Sequence, residues 1–212
     1  MGSLRWLPPI SKIPIRPPAT KAGFLTFFSK CSYMEKAIDK KEPGSQGRQD
    51  SKLEELFLNE LRELYGAEQH QLHVLPMLKK AVSSQKLSNV LASHLDDTRV
   101  QIGRLDMIFK ILGHNSDVRT SAAILGIARE AEMVIEGTRQ ETATRDAGII
   151  VAAQKLEHYE ITSYGSLAQH ANTLDHDDIV EILELSLFEE KEMDELLTAV
   201  AENYINKEAS RE

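Results

Sequence analysis

From residue 51 onward the chain places an apolar residue at every third or fourth position and sustains that step over long segments. Such spacing keeps side chains on one face of an α-helix, whereas a strand needs a period of two. The most informative run is Ile150, Ala153, Glu157, Glu160, Tyr164, Leu167, Ala171. Glu157 and Glu160 therefore point where Ala, Tyr and Leu point, which is inward. A carboxylate taken out of water costs several kcal/mol even after relaxation, so the fold must supply something that offsets it.

The same period predicts five helical segments. The first opens at Ser51, a capping residue with Glu54 three positions on, and shows Leu53, Phe57, Leu61, Leu64, Glu68, Leu72 and Leu75 on one side. Pro76 is expected to kink or locally break it, because proline removes a donor and crowds the preceding turn. The second runs from about Leu87 to Leu112, with Leu91, Leu95, Thr98, Ile102, Leu105 and Phe109, and stops at Gly113. A shorter third segment covers about Arg119 to Thr142. The fourth is expected from Asp146 to near Asn172. The fifth runs from about Asp177 to Tyr204, with Ile179, Leu183, Ser186, Glu190, Met193 and Leu197. Short connections make neighbouring long helices antiparallel, and no strand-period segment competes, so the expected class is an all-α bundle.

Five of the 7 prolines fall in the first eighteen residues, where helix is excluded, and residues 35–50 are polar. Residues 1–50 therefore read as a disordered or non-native leader and linker, with Met34 as an alternative start and a targeting peptide as the competing reading. Residues 51–205 form the domain, and 206–212 read as a disordered tail. The single cysteine, Cys31, excludes an internal disulfide and a cysteine-based metal motif. The net charge of −8 conceals a basic, acid-free start and a strongly acidic remainder. An acidic body argues against a nucleic-acid groove and suits cations. No apolar run is long enough to span a bilayer. A cytoplasmic location fits.

The pattern of the fourth helix recurs in the others. Glu68 lies in the first seam, Glu190 in the fifth, with Asp194 one turn on. On the second helix His94, Asp97 and Gln101 form a stripe beside the seam through Thr98. Singly, each acid could be a border residue that reaches water or pairs with Arg99, Arg104, Lys155 or Lys191. Together, four helices that each bring a carboxylate to mid-length describe the way bundles hold two metal ions in an oxygen-rich site suited to iron or manganese. The candidate ligands are Glu68, Asp97, Gln101, Glu157, Glu160, Glu190 and Asp194. His94 and Tyr164 are candidates for the next shell or for weaker ligation. No histidine follows a glutamate by three positions, as a ferritin-type site has it.

The runs Ala152-Ala153-Gln154-Lys155-Leu156-Glu157-His158-Tyr159-Glu160-Ile161, Leu64-Tyr65-Gly66-Ala67-Glu68-Gln69, His94-Leu95-Asp96-Asp97-Thr98 and Glu189-Glu190-Lys191, taken in order, resemble the YciE/YciF family of ferritin-like bacterial stress proteins. The resemblance covers about residues 51–205. It implies a ferritin-like antiparallel four-helix bundle with an additional helix, a di-iron carboxylate site and association into homodimers. Relatives commonly have two glutamates where this chain has Asp96 and Asp97, and some have histidine at Arg99 and glutamate at Leu125. Two functions follow as expectations. One is a di-metal protein of the stress response that oxidises Fe(II) with peroxide or oxygen, with manganese or zinc as alternative metals. The other is a metal-free helical scaffold that acts by oligomerising or binding protein.

Overall fold

The computed structural model describes residues 51–212, and the readings made for residues 1–50 lie outside the described residues. Five main helices appear: α1 (Lys52–Ala81), α2 (Gln85–Leu112), α3 (Ala122–Gly137), α4 (Ala143–Thr173) and α5 (Asp177–Val200). A π-helical turn, Ala201–Ile205, and a short α6, Asn206–Ala209, follow. Local chemistry sets most of the starts. Ser51, Ser84, Ser121 and Thr142 each accept a hydrogen bond from the backbone N–H three residues on, satisfying a donor the helix itself cannot pair. Gly113 ends α2 in the left-handed region (φ 73°).

Pro76 does not break α1, which runs through it with the proline on the exposed side. Other boundaries differ from the sequence expectation: α4 starts at Ala143 and not Asp146, and α5 gives way to the π-helical turn after Val200 and does not reach Tyr204. α3 is shorter than Arg119–Thr142, because Ser121 caps its start, it ends at Gly137, and Thr142 caps the start of α4 instead. Residues 206–212, expected as a disordered tail, carry the α6 turn, and the Glu212 carboxylate accepts from Ala143 N (2.8 Å) and Thr144 N (3.0 Å). That places an anion at the start of α4, where the helix dipole favours one.

Helices α1, α2, α5 and α4 form a ring in which each packs on the next, and α3 lies against α4 and α1. Contacts climb α1 as they descend α4: Tyr164 meets Glu68, Gln71 meets Glu160, and Ser83 just beyond α1 meets Asp146. Gln101–Glu190 and Arg104–Ser186 show the same opposed run for α2 and α5. All neighbours in the ring are thus antiparallel, and α2 and α4 stand diagonally. The connection between them must travel the length of the bundle, and α3 occupies that crossover. This is a ferritin-like antiparallel four-helix bundle with an additional helix.

Two close approaches hold the crossover in place. A Cβ on Gly66 would lie 2.1 Å from the carbonyl oxygen of Arg119, so only glycine lets that loop meet α1. A Cβ on Gly148 would lie 2.6 Å from Val134 Cγ1, so α3 sits tight on α4. The first turn of the bundle is pinned from α4, where the Asp146 carboxylate accepts from Ser83 N, Ser83 Oγ and Ser84 N at 2.8–2.9 Å. Apolar layers fill both ends of the interior. Leu75, Leu78, Leu87, Leu91, Ile149, Ala153 and Leu197 are buried at one end, and Phe57, Leu61, Leu105, Phe109, Leu167 and Leu183 at the other. The level between them is polar.

Candidate metal centre

Every helix of the ring contributes to that polar level. α1 brings Glu68 and Gln71, α2 brings His94 and Gln101, α4 brings Glu157, Glu160 and Tyr164, and α5 brings Glu190, all of them buried. The seam periodicity explains their convergence, because each occupies a position that would otherwise hold Leu or Ala. His94, Glu157, Glu160 and Glu190 each offer a ligand atom, and these atoms all lie within 4.8 Å of one another. Glu68 stands beside them and receives a hydrogen bond from Tyr164 Oη at 2.6 Å. Gln71 Nε2 donates to Glu160, and Gln101 Nε2 donates to Glu190.

These three donors orient Glu68, Glu160 and Glu190 but satisfy only part of the group. Glu68 Oε2, Glu160 Oε2, Glu190 Oε2, His94 Nε2 and both oxygens of Glu157 are buried without a hydrogen-bond partner. The four candidate cations in the sequence do not supply one. Arg104 pairs with Glu189, Arg99 with Asp96 and Lys155 with Glu130, while Lys191 is exposed. An interior that leaves that many acceptors open departs from the ordinary pairing of buried polar groups. The donor set, four carboxylates and an imidazole, fits a divalent transition metal.

The electrostatics are those of carboxyl groups crowded together in the interior. Burial, reinforced by the charge of Glu190, pushes Glu68 up to about 8. Burial first and then the neighbouring carboxylates hold Glu157 and Glu160 well above the ordinary carboxyl range. Glu190 is raised to about 7, again chiefly by burial. His94 moves the other way, to about 4, because burial disfavours its cation. Its Nε2 lies 3.3 Å from Glu157 Oε1. With the imidazole neutral, this contact is no ion pair, and the lone pair or N–H of Nε2 depends on the tautomer. Burial and the Glu68 charge raise Tyr164 well above its usual value, so it remains a phenol that can donate.

The remaining sequence candidates are placed at the rim. Asp97 is half-buried, outside the close group, and is pushed up to about 6 by burial and by Glu189. Asp194 is partly exposed, accepting from Gln154 Nε2 at 3.1 Å and lying 3.4 Å from His158 Nε2. Gln101 is inside, but its amide hydrogen atoms face carboxylates. Gln71 escapes the sequence reading, and Glu189 and Arg104 are named there without being brought together. Gln71 falls three residues after Glu68 on the same seam, a spacing that could have found it. Glu189 and Arg104 form a bidentate pair across α2 and α5 (2.6 and 2.7 Å), which no spacing within one helix reveals.

Comparison with known proteins places the chain in a family. Residues 52–210 match the family described as a domain of unknown function (DUF892). The chain is 39% identical over 158 residues to protein YciF of Escherichia coli strain K12, a match covering 74% of this chain and 95% of that protein. The crystal structure of the E. coli stress protein YciF superposes with a TM-score of 0.70 at 38% identity, over 74% of this chain and 99% of that one. YcfI from Rhodopseudomonas palustris gives 0.69 at 39% identity with the same coverage. Among the described residues, no helix is long and apolar enough to cross a membrane. With the family profile spanning the whole helical domain and its relatives sharing both sequence and bundle, this chain belongs to the DUF892 family, the family of YciF.

Proposed function

We propose that the buried cluster is a di-metal carboxylate centre, with iron as the first candidate and manganese or zinc as alternatives, serving Fe(II) oxidation by peroxide or oxygen under stress. The observation that carries this reading is the convergence of His94, Glu157, Glu160 and Glu190 in the buried interior, with acceptor oxygens there that no lysine or arginine among the described residues meets. Charge balance supports two ions: four carboxylates, Glu68, Glu157, Glu160 and Glu190, neutralise two divalent cations, and a neutral total is what a dry interior tolerates. The description of E. coli YciF as a stress protein supports the setting.

Bound iron would supply the electrons, one from each of two Fe(II) ions, that reduce peroxide or oxygen. The residues of this chain do the rest. Glu68, Glu157, Glu160, Glu190 and His94 would hold the ions. Tyr164, Gln71 and Gln101 each fix one carboxylate oxygen and leave the other facing inward. The apolar layers at both ends exclude bulk water. Anaerobic loading with Fe(II) followed by peroxide should produce the ferric absorption band rapidly, and Glu157→Gln should lose most of that rate. Oxidation no faster than in protein-free buffer rejects the reading. It would favour the metal-free scaffold, for which chelators leave the melting temperature unchanged.

A further inference from the structure

The cluster is closed at both ends of the bundle, so an ion must pass between helices. Glu189 and Glu190 are adjacent on α5, one partly exposed and the other buried. Gln101, itself buried, spans them, its Nε2 donating to Glu189 Oε2 at 3.2 Å and also to Glu190 Oε1. Its Oε1 has no partner. Half-buried Asp97 adds a second carboxylate beside Glu189 on the outer side. Arg104, almost wholly buried, grips Glu189 with both terminal nitrogens and touches Ser186 at 3.2 Å, while its Nε is unpaired. An outer carboxylate, an amide bridge and an inner carboxylate thus line one seam.

We infer that the α2–α5 seam is the cation entry to the proposed metal centre, with Glu189 as an exchangeable ligand that leaves Arg104 to receive a divalent cation and passes it to Glu190 across Gln101. This rests on the metal-centre reading. The competition is one of charge: Arg104 and an incoming divalent ion seek the same two oxygens of Glu189, and Asp97 adds attraction for the ion. The other acidic opening, at Asp194 between α4 and α5, lacks such a bridge, because Gln154 and His158 occupy that carboxylate.

Stopped-flow absorption of Co(II) uptake by the full chain reads entry separately from catalysis. Glu189→Gln should slow the approach to the end-point about tenfold, the lower range for loss of electrostatic guidance, without changing its final amplitude. Arg104→Gln, which releases the latch, should speed it, and this second variant keeps the test valid if Glu189→Gln folds poorly. Asp194→Asn should match the wild-type rate. The route is overturned if Glu189→Gln folds and takes up Co(II) at the wild-type rate, if Arg104→Gln fails to speed entry, or if Asp194→Asn is the slowed variant. A wild-type protein that takes up no Co(II) at all overturns the proposed centre itself.

Discussion

Buried among other carboxylates, with only the neutral His94 in ion-pair range, Glu157 cannot keep a full charge unless a cation meets it. Its neutral isostere should therefore stabilise the metal-free protein while removing a ligand. Glu157→Gln is expected to raise the melting temperature in chelator by several degrees, corresponding to about 1–2 kcal/mol, and scanning calorimetry checks it. The pH dependence has a defined sign. Glu68 is held at about 8 and Glu190 at about 7 in the fold, against 4.5 for a free glutamate, and Glu157 and Glu160 shift in the same direction. A carboxyl with a raised folded pKa binds more protons folded than unfolded, so its contribution is complete below the unfolded value and is lost as pH rises through the folded one. His94, lowered to about 4 from 6.5, acts oppositely and only below that upper value. Metal-free protein should thus lose melting temperature from about pH 6.5 to about pH 8, where the carboxyls alone titrate. A flat or rising profile there contradicts the protonated cluster.

Among the helices, the period of three and four made the five segments and their seam acids legible, because burial on one face leaves a direct trace in sequence. The interhelical features left none. Pro76 could break a helix in isolation, but its ring lies on the exposed side and packing around it keeps α1 whole. The spacing of Gln71 from Glu68 puts it on the buried face, but its partner is legible only when Glu160 is seen opposite it. Asp97 and Asp194 share the helical spacing of the clustered acids yet end at the rim, since a border stripe and a buried face differ by less than spacing can resolve. The glycines separate local propensity from packing. Gly66→Ala should destabilise by about 1–3 kcal/mol, because the Arg119 carbonyl must retreat. Gly103→Ala, with open space at its Cβ in α2, should instead stabilise by about 0.5–1 kcal/mol through helix propensity. Urea unfolding of the pair checks both, and equal effects would remove the argument that the crossover loop is locked on α1.

For the molecule as a whole, the ring of four antiparallel helices with α3 in the crossover follows from the order and length of the segments. The family match extends over the same residues. What the whole fold adds is a buried level at which four carboxylates and one imidazole meet without a lysine or arginine partner among the described residues. Apolar ends, oriented carboxylates and the absence of a pairing lysine or arginine among the described residues are what the proposed centre accounts for, with the neutralising charge supplied by bound cations. Anaerobic equilibrium dialysis against Fe(II), with calorimetry on the same samples, tests this most directly. The account predicts about two ions per chain and a melting temperature raised by several degrees on loading. No stoichiometric iron, manganese or zinc, together with an unchanged melting temperature, would contradict it.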